Sequence, residues 1–221
     1  RHGRVYAVDV STDLMDWTAL AADLNPSGEQ TSYVDRSPDI ATDAKRFYRI
    51  REDIPPPLFV EGFEDGAPGW TTGVITNFSA TATAWEVGAP NNNGPAAAFM
   101  GANVYGTDLD ANYEDDTRIF LRTPRIDLTG AGRAKLTFWY FMAAGDGEGG
   151  RLNLLEADGT TILEGLRLYV GPAGNTDGWT QESIRLPDLD RPVIIEMELL
   201  AAADEDPINR AGWFIDELIV D

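Results

Sequence analysis

Apolar residues recur at every second position through most of this chain, as in VYAVDVS at 5–11, RLNLLEADGTTILEG at 151–165 and PVIIEMELL at 192–200. A period of two sends alternate side chains to opposite faces of an extended strand. Helical spacing is scarce, and 22 glycines with 13 prolines interrupt the runs at short intervals, as turns and strand ends require. Asp158-Gly159 stands between two alternating runs and predicts a hairpin with a primed two-residue turn. These features predict an all-β fold of the sandwich kind. Cysteine is absent, so packing alone must hold the strands, and thiolate catalysis and cysteine-ligated zinc are excluded.

REDIPPPLFV at 51–60 breaks the pattern. Three consecutive prolines cannot join a central strand and form a stiff, extended spacer. The expected boundary lies near Ile54, with a first module at 1–53, the spacer at 54–57 and a second module at 58–221. Charge divides unevenly across it: 7 basic and 10 acidic residues precede the boundary, and 10 basic and 27 acidic follow it.

The net charge of −20 repels nucleic-acid phosphates and anionic membrane surfaces at long range. Neither nucleic acid nor membrane insertion is expected. No apolar run reaches the roughly 18 to 20 residues of a membrane span. There is no basic-then-apolar signal segment either, and the start RHGRVYAV reads as a trimmed or mature terminus. Catalysis lacks material too. The one histidine is His2, so neither a Ser-His-Asp triad nor a histidine-ligated zinc can be assembled. Acidic pairs suited to glycoside hydrolysis are too numerous to single out. The chain is not expected to be an enzyme.

The first module resembles the back half of a fibronectin type III or immunoglobulin-like sandwich of secreted bacterial proteins, through VYAVDVSTDLMDWTAL, Asp35 and RFYRIRED at 46–53. A whole sandwich of this type takes about 100 residues, so its opening strands are expected from outside these residues. The second module resembles a jelly-roll family that includes MAM-like domains, accessory domains of immune-inhibitor-type bacterial peptidases and carbohydrate-binding modules. FEDGAPGW at 63–70, FLRTPRIDLTG at 120–130, LTFWYFM at 136–142 and GWFIDELIVD at 212–221 carry the resemblance.

In such jelly rolls the first and last strands lie side by side, which would set Glu64 beside Asp216, with Asp65 and Glu217 near. Crowded carboxylates repel unless protonated or bridged, and an oxygen-only cluster suits calcium. The resemblance implies Glu64 and Asp216 as calcium ligands. The alternative is that alternate acids of WFIDELIV simply face water. A second candidate is DLDANYEDD at 108–116, where Asp108, Asp110 and Asn112 occupy the first three ligand positions of an EF-hand loop, with Asp116 as a further donor. Tyr113 and Ile119 replace that loop's glycine and bidentate glutamate, so it is not an EF-hand. Its alternative is a solvated acidic loop. DEDPIN at 204–209 is a fainter instance.

One strand lacks a polar face. In KLTFWYFM, Leu136, Phe138, Tyr140 and Met142 share one side and Trp139 and Phe141 the other, so something must cover Trp139. In PVIIEMELL, Glu196 and Glu198 oppose the apolar side. If they adjoin Trp139, the three make a stacking platform with acceptors for a sugar ring; the alternative is that loops of the same domain bury the indole. Trp70, Trp179, Trp213 and Trp17 read as core. NFS at 77–79 is a glycosylation sequon.

Together these readings describe a secreted or cell-surface, calcium-stabilised adhesion module of a larger protein, with a glycan or surface protein as partner. The competing reading is a subunit of an extracellular filament that self-associates by strand completion.

Overall fold

The computed structural model describes residues 5–24, 31–53, 56–75, 82–91, 94–202 and 211–221. His2, Ile54, Pro55, the sequon at 77–79 and the acidic loop at 204–209 lie outside the described residues. The chain divides into two compact units, Arg1–Pro56 with Ala131–Arg133, and Pro57–Gly130 with Ala134–Asp221.

The first unit holds three antiparallel strands, β1 (Val5–Ser11), β2 (Thr18–Leu24) and β3 (Phe47–Asp53), in the order β2-β1-β3. On one side of this sheet Asp9 is buried beneath Arg49 and Arg51, at 2.8 and 3.1 Å. Trp17 does not become core. Its ring lies 4.4 Å from the Arg49 guanidinium, because among the described residues no second sheet of this unit faces the first. Val8 is buried, while Tyr48 and Ile50 are 48% and 75% exposed.

The second unit is a jelly-roll sandwich of two antiparallel six-stranded sheets. Sheet I has the order β13-β10-β15-β7-β6, with β4 also on β15. Its members are β4 (Phe59–Glu61), β6 (Trp85–Gly88), β7 (Val104–Thr107), β10 (Lys135–Ala143), β13 (Thr180–Arg185) and β15 (Gly212–Val220). Sheet II has the order β12-β11-β14-β8-β5, with β9 on β14. It is built from β5 (Thr71–Val74), β8 (Arg118–Arg122), β9 (Ile126–Asp127), β11 (Gly149–Glu156), β12 (Ile162–Val170) and β14 (Pro192–Leu200). The chain passes repeatedly between the sheets, so both must form together. Leu136, Phe138 and Met142 of sheet I meet Leu152, Leu154, Ile195 and Met197 of sheet II, each at most 1% exposed. At about 25 cal/mol per Å² of apolar surface removed from water, this core is the main stabilising term.

The alternation in β10 and β14 therefore marks inside and outside correctly, whereas in β1 Asp9 and Ser11 are each 3% exposed beside Val8 at 8%, and Ile162 at the start of β12 is 55% exposed. The turn at 157–160 differs from expectation. Gly159 has φ +73° and Asp158 does not have positive φ, whereas a primed type I turn needs it at both central residues. Instead Asp158 accepts the N–H groups of Thr160 and Thr161 at 2.8 and 2.9 Å. Those bonds hold its carboxyl down at about 2, and they substitute for the primed geometry by tying the loop through a side chain.

Candidate functional site

The first and last strands of the sandwich pair as expected, Glu61 opposite Leu218 and Phe59 opposite Val220. FEDG leaves β4 directly beside the middle of β15. Glu64 and Asp216 then act on one loop, residues 99–103. Glu64 Oε1 accepts the N–H groups of Ala102 and Asn103 at 2.9 and 2.8 Å, and Asp216 Oδ2 accepts that of Met100 at 3.0 Å. Asp216 Oδ1 takes the Glu217 N–H at 2.8 Å. Between the clamped positions Gly101 has φ +68°, and a Cβ there would collide with the Glu64 carboxylate, so glycine is required twice over.

The two carboxylates differ electrostatically. Backbone donors from Asn103 and Ala102 hold Glu64 below its usual range. Burial pushes Asp216 upward, only partly opposed by the Met100 and Glu217 N–H groups, with the charge of Glu217 raising it further. Asp216 is fully buried, and among the described residues no lysine or arginine forms an ion pair with it. Asp65 is exposed. Among the described residues no three Asp, Glu, His or Cys side chains gather at metal-binding range.

The clamped loop answers the question raised by β10. Phe99 stacks on Trp139 with ring centroids 3.8 Å apart and planes 13° from parallel. Trp179 meets Phe99 edge-on at 6.5 Å and donates Nε1–H to Ala97 O at 2.9 Å. Beneath the same loop Phe141 and Phe214 pack with Val104, Leu109 and Ala211. The outer face of sheet I thus carries a second, smaller apolar layer. Trp139 belongs to it, and so does Trp179, whereas Trp70 and Trp213 are buried as expected.

The proposed platform of Trp139 with Glu196 and Glu198 is not formed. β10 lies in sheet I and β14 in sheet II. Both strands turn their aliphatic residues inward, so Trp139 and the two glutamates project from opposite sides of the sandwich.

Glu196 and Glu198 sit instead at the centre of the outer face of sheet II, each 3% exposed. Strand register builds a row from Arg122 through Glu196 to Asn153, and a second from Phe120 through Glu198 to Arg151 and Leu168. Arg122 pairs with Glu196 at 2.6 Å, Asn153 donates to Glu196 at 3.0 Å, and Arg118 pairs with Glu198. Phe120 lies across Gly73, and the Arg122 guanidinium caps its ring at 3.8 Å. The carboxylates are thereby covered, and the side chains of Arg118 and Arg122 remain 28% and 22% exposed. A molecule arriving at this face meets N–H donors, the reverse of the acceptor surface expected from Glu196 and Glu198.

The DxDxN loop does not close either. Asp108 turns inward, accepting the Ala84 N–H at 3.2 Å, and burial raises its carboxyl. Asp110 and Asn112 are exposed. Tyr113, in the position of the EF-hand glycine, is buried and donates its hydroxyl to Glu148, which anchors the loop. Asp116 takes positive φ and donates its N–H to Ala202 O at 3.1 Å.

Sequence reading did not find Phe99, Asn153 or the three arginines. The alternation RIFLR does place Arg118, Phe120 and Arg122 outside, but only the strand order shows that they face Glu198 and Glu196. The signal that could have found Phe99 and Met100 is their size, as the two large apolar residues inside the small-residue stretch GPAAAFMGAN.

No family model matches the chain. Bacillopeptidase F of Bacillus subtilis (strain 168) is 30% identical over 164 residues, which are 73% of this chain and 10% of that protein; the chain therefore spans about a tenth of the relative's length. Among solved structures, a cleaved adhesin domain of Lys-gingipain from Porphyromonas gingivalis superposes with a TM-score of 0.49 at 18% identity, covering 74% of this chain and 96% of that one. A xylan-binding domain from Paenibacillus barcinonensis Xyn10C gives 0.42 at 14% identity, covering 75% and 93%.

Proposed function

We propose that this chain is a non-catalytic, extracellular binding module of a larger protein, and that its ligand is a glycan bound across the outer face of sheet II. The observation that carries this reading is the built face itself, in which two buried carboxylates fix arginines and an asparagine in register over three adjacent strands. A solvated surface needs no such order. Fixed donors beside small apolar surfaces suit a sugar, which offers oxygens and C–H faces together. Similarity to a tenth of a peptidase supports the accessory, modular part of the reading.

Calcium enters as a stabiliser of the opposite face. Asp216 and Glu64 would hold it, and the ion would supply the positive charge that a fully buried, unpaired carboxylate lacks. Binding of the full chain to an array of neutral and acidic glycans tests the main reading, which predicts retention on at least one class. Retention on none removes it.

A second reading, self-association by strand addition into a surface filament, is favoured by one observation, the exposure of Ile50 and Tyr48 on β3, an edge strand. A monomeric mass by light scattering at high protein concentration would eliminate it.

A further inference from the structure

We propose that the face on sheet II selects acidic polysaccharides, with Arg151 as the residue that receives a uronic-acid carboxylate. The inference rests on the glycan reading above and names the sugar class. Arg118 and Arg122 are each matched to a buried glutamate. Arg151 is the additional guanidinium on the face. It stands in register with Glu198 on one side and Leu168 on the other and is exposed.

Glu196, Glu198 and Glu148, the last also lining the hollow beside Arg151, are each at most 3% exposed and already bonded inside the protein. The ends that Arg118, Arg122 and Arg151 present to solvent are therefore cationic on a chain of net charge −20. At physiological salt, charges beyond about 8 Å are largely screened, so a ligand resting here senses the guanidiniums rather than the acidic total. Beside Arg151 is a small hollow that includes Gly149 and Glu198. Leu168, Val170 and Leu200 border it and are 62%, 39% and 37% exposed. Those side chains offer the apolar contact that the C–H face of one sugar ring requires, while a guanidinium fork matches a carboxylate bidentately. An acidic peptide or a nucleic acid would use the charge without the hollow.

The test measures binding of the full chain to polygalacturonate and alginate, to methyl-esterified polygalacturonate and neutral galactan, and to poly-glutamate and single-stranded DNA. The proposal expects preference for the unesterified uronates, and a loss of about ten- to a hundredfold in Arg151→Gln, the range of one charge-assisted hydrogen-bond pair. Arg185→Gln, on the edge of sheet I, should bind as wild type, and unchanged melting of both variants shows that folding is intact. Equal or better binding to the neutral or esterified chains overturns the proposal and leaves the glycan reading standing. Equal binding of poly-glutamate or DNA overturns it in favour of bare charge attraction, as does wild-type uronate affinity in Arg151→Gln. Binding to no polysaccharide removes the glycan reading and this inference together.

Discussion

The outer faces of the two sheets meet the same difficulty in different ways. On sheet I the strand KLTFWYFM is apolar on both sides, and its outward residues Trp139 and Phe141 are covered by a loop that brings its own aromatic, Phe99. On sheet II the central strand PVIIEMELL carries Glu196 and Glu198 outward, and these are covered by arginines from β8. One face is closed by aromatic packing under a clamped loop. The other is closed by ion pairs whose cationic ends stay in contact with solvent. The two faces therefore leave different chemistry in water, the apolar side chains of Phe99 and Met100, 36% and 56% exposed, on the first and guanidiniums on the second.

If the first face depends on its clamp, removing Asp216 should have the largest effect. Asp216→Ala leaves the part-buried N–H groups of Met100 and Glu217 without their carboxylate acceptor, at about 1 to 3 kcal/mol each for bonds to a charged group. Relief of the desolvated charge offsets part of that, for a net loss of about 2 to 4 kcal/mol. Because the loop carries Phe99, the same variant should shift tryptophan emission to the red as Trp139 gains water. Loss of stability without a spectral change would separate the clamp from the aromatic layer and break the comparison.

On the second face the corresponding deletion is Glu196→Ala, which strands the Arg122 guanidinium and the Asn153 amide. Breaking a fully buried pair costs about 3 to 5 kcal/mol. Arg122 is 22% exposed and can turn to water, so about 2 kcal/mol is expected. Tryptophan emission should not move, since the six strands of sheet II contain no tryptophan. Chemical denaturation in urea checks both values, and a cost equal to that of Asp216→Ala with the same red shift would show that the two faces are not independent.

The sandwich class and the inward residues of β10 and β14 were legible in the sequence, and the family resemblance supplied the pairing of first and last strands that brings Glu64 and Asp216 onto one loop. Each follows from period-two alternation or from the pairing of first and last strands. What sits opposite what was not legible. Alternation says that Glu196 points away from the core, but whether Trp139 or Arg122 is its neighbour depends on strand order, a long-range property. Likewise the alternation in β10 shows that Trp139 needs a cover, while the identity of that cover lies in a loop 40 residues earlier. In the first unit the strands VYAVDVS and RFYRIRED were legible, and Ile50 is exposed because among the described residues no second sheet of that unit covers β3.

The smallest effect expected is a pH dependence that distinguishes the two ends of the clamp. Asp216 is raised above its ordinary 3.8 by burial, so the folded protein holds this proton more tightly than the unfolded chain does. The stability it contributes is fully present below the unfolded value and is lost as pH rises through the raised folded value. Glu64 is lowered from 4.5 by the Asn103 and Ala102 N–H groups, so its contribution is present above the unfolded value and is lost as pH falls through the folded one. In EDTA the urea midpoint should therefore decline on the neutral side as Asp216 ionises in place, and Asp216→Asn should remove that decline while keeping the acid-side loss due to Glu64. Calcium bound to the ionised carboxylate would stabilise the folded state by mass action and flatten the neutral-side decline in the wild type alone. An identical profile in EDTA and calcium would detach the metal from the clamp, leaving the backbone donors to hold the loop over Trp139 unaided. A neutral-side decline that survives in Asp216→Asn would place the titrating group elsewhere on the molecule.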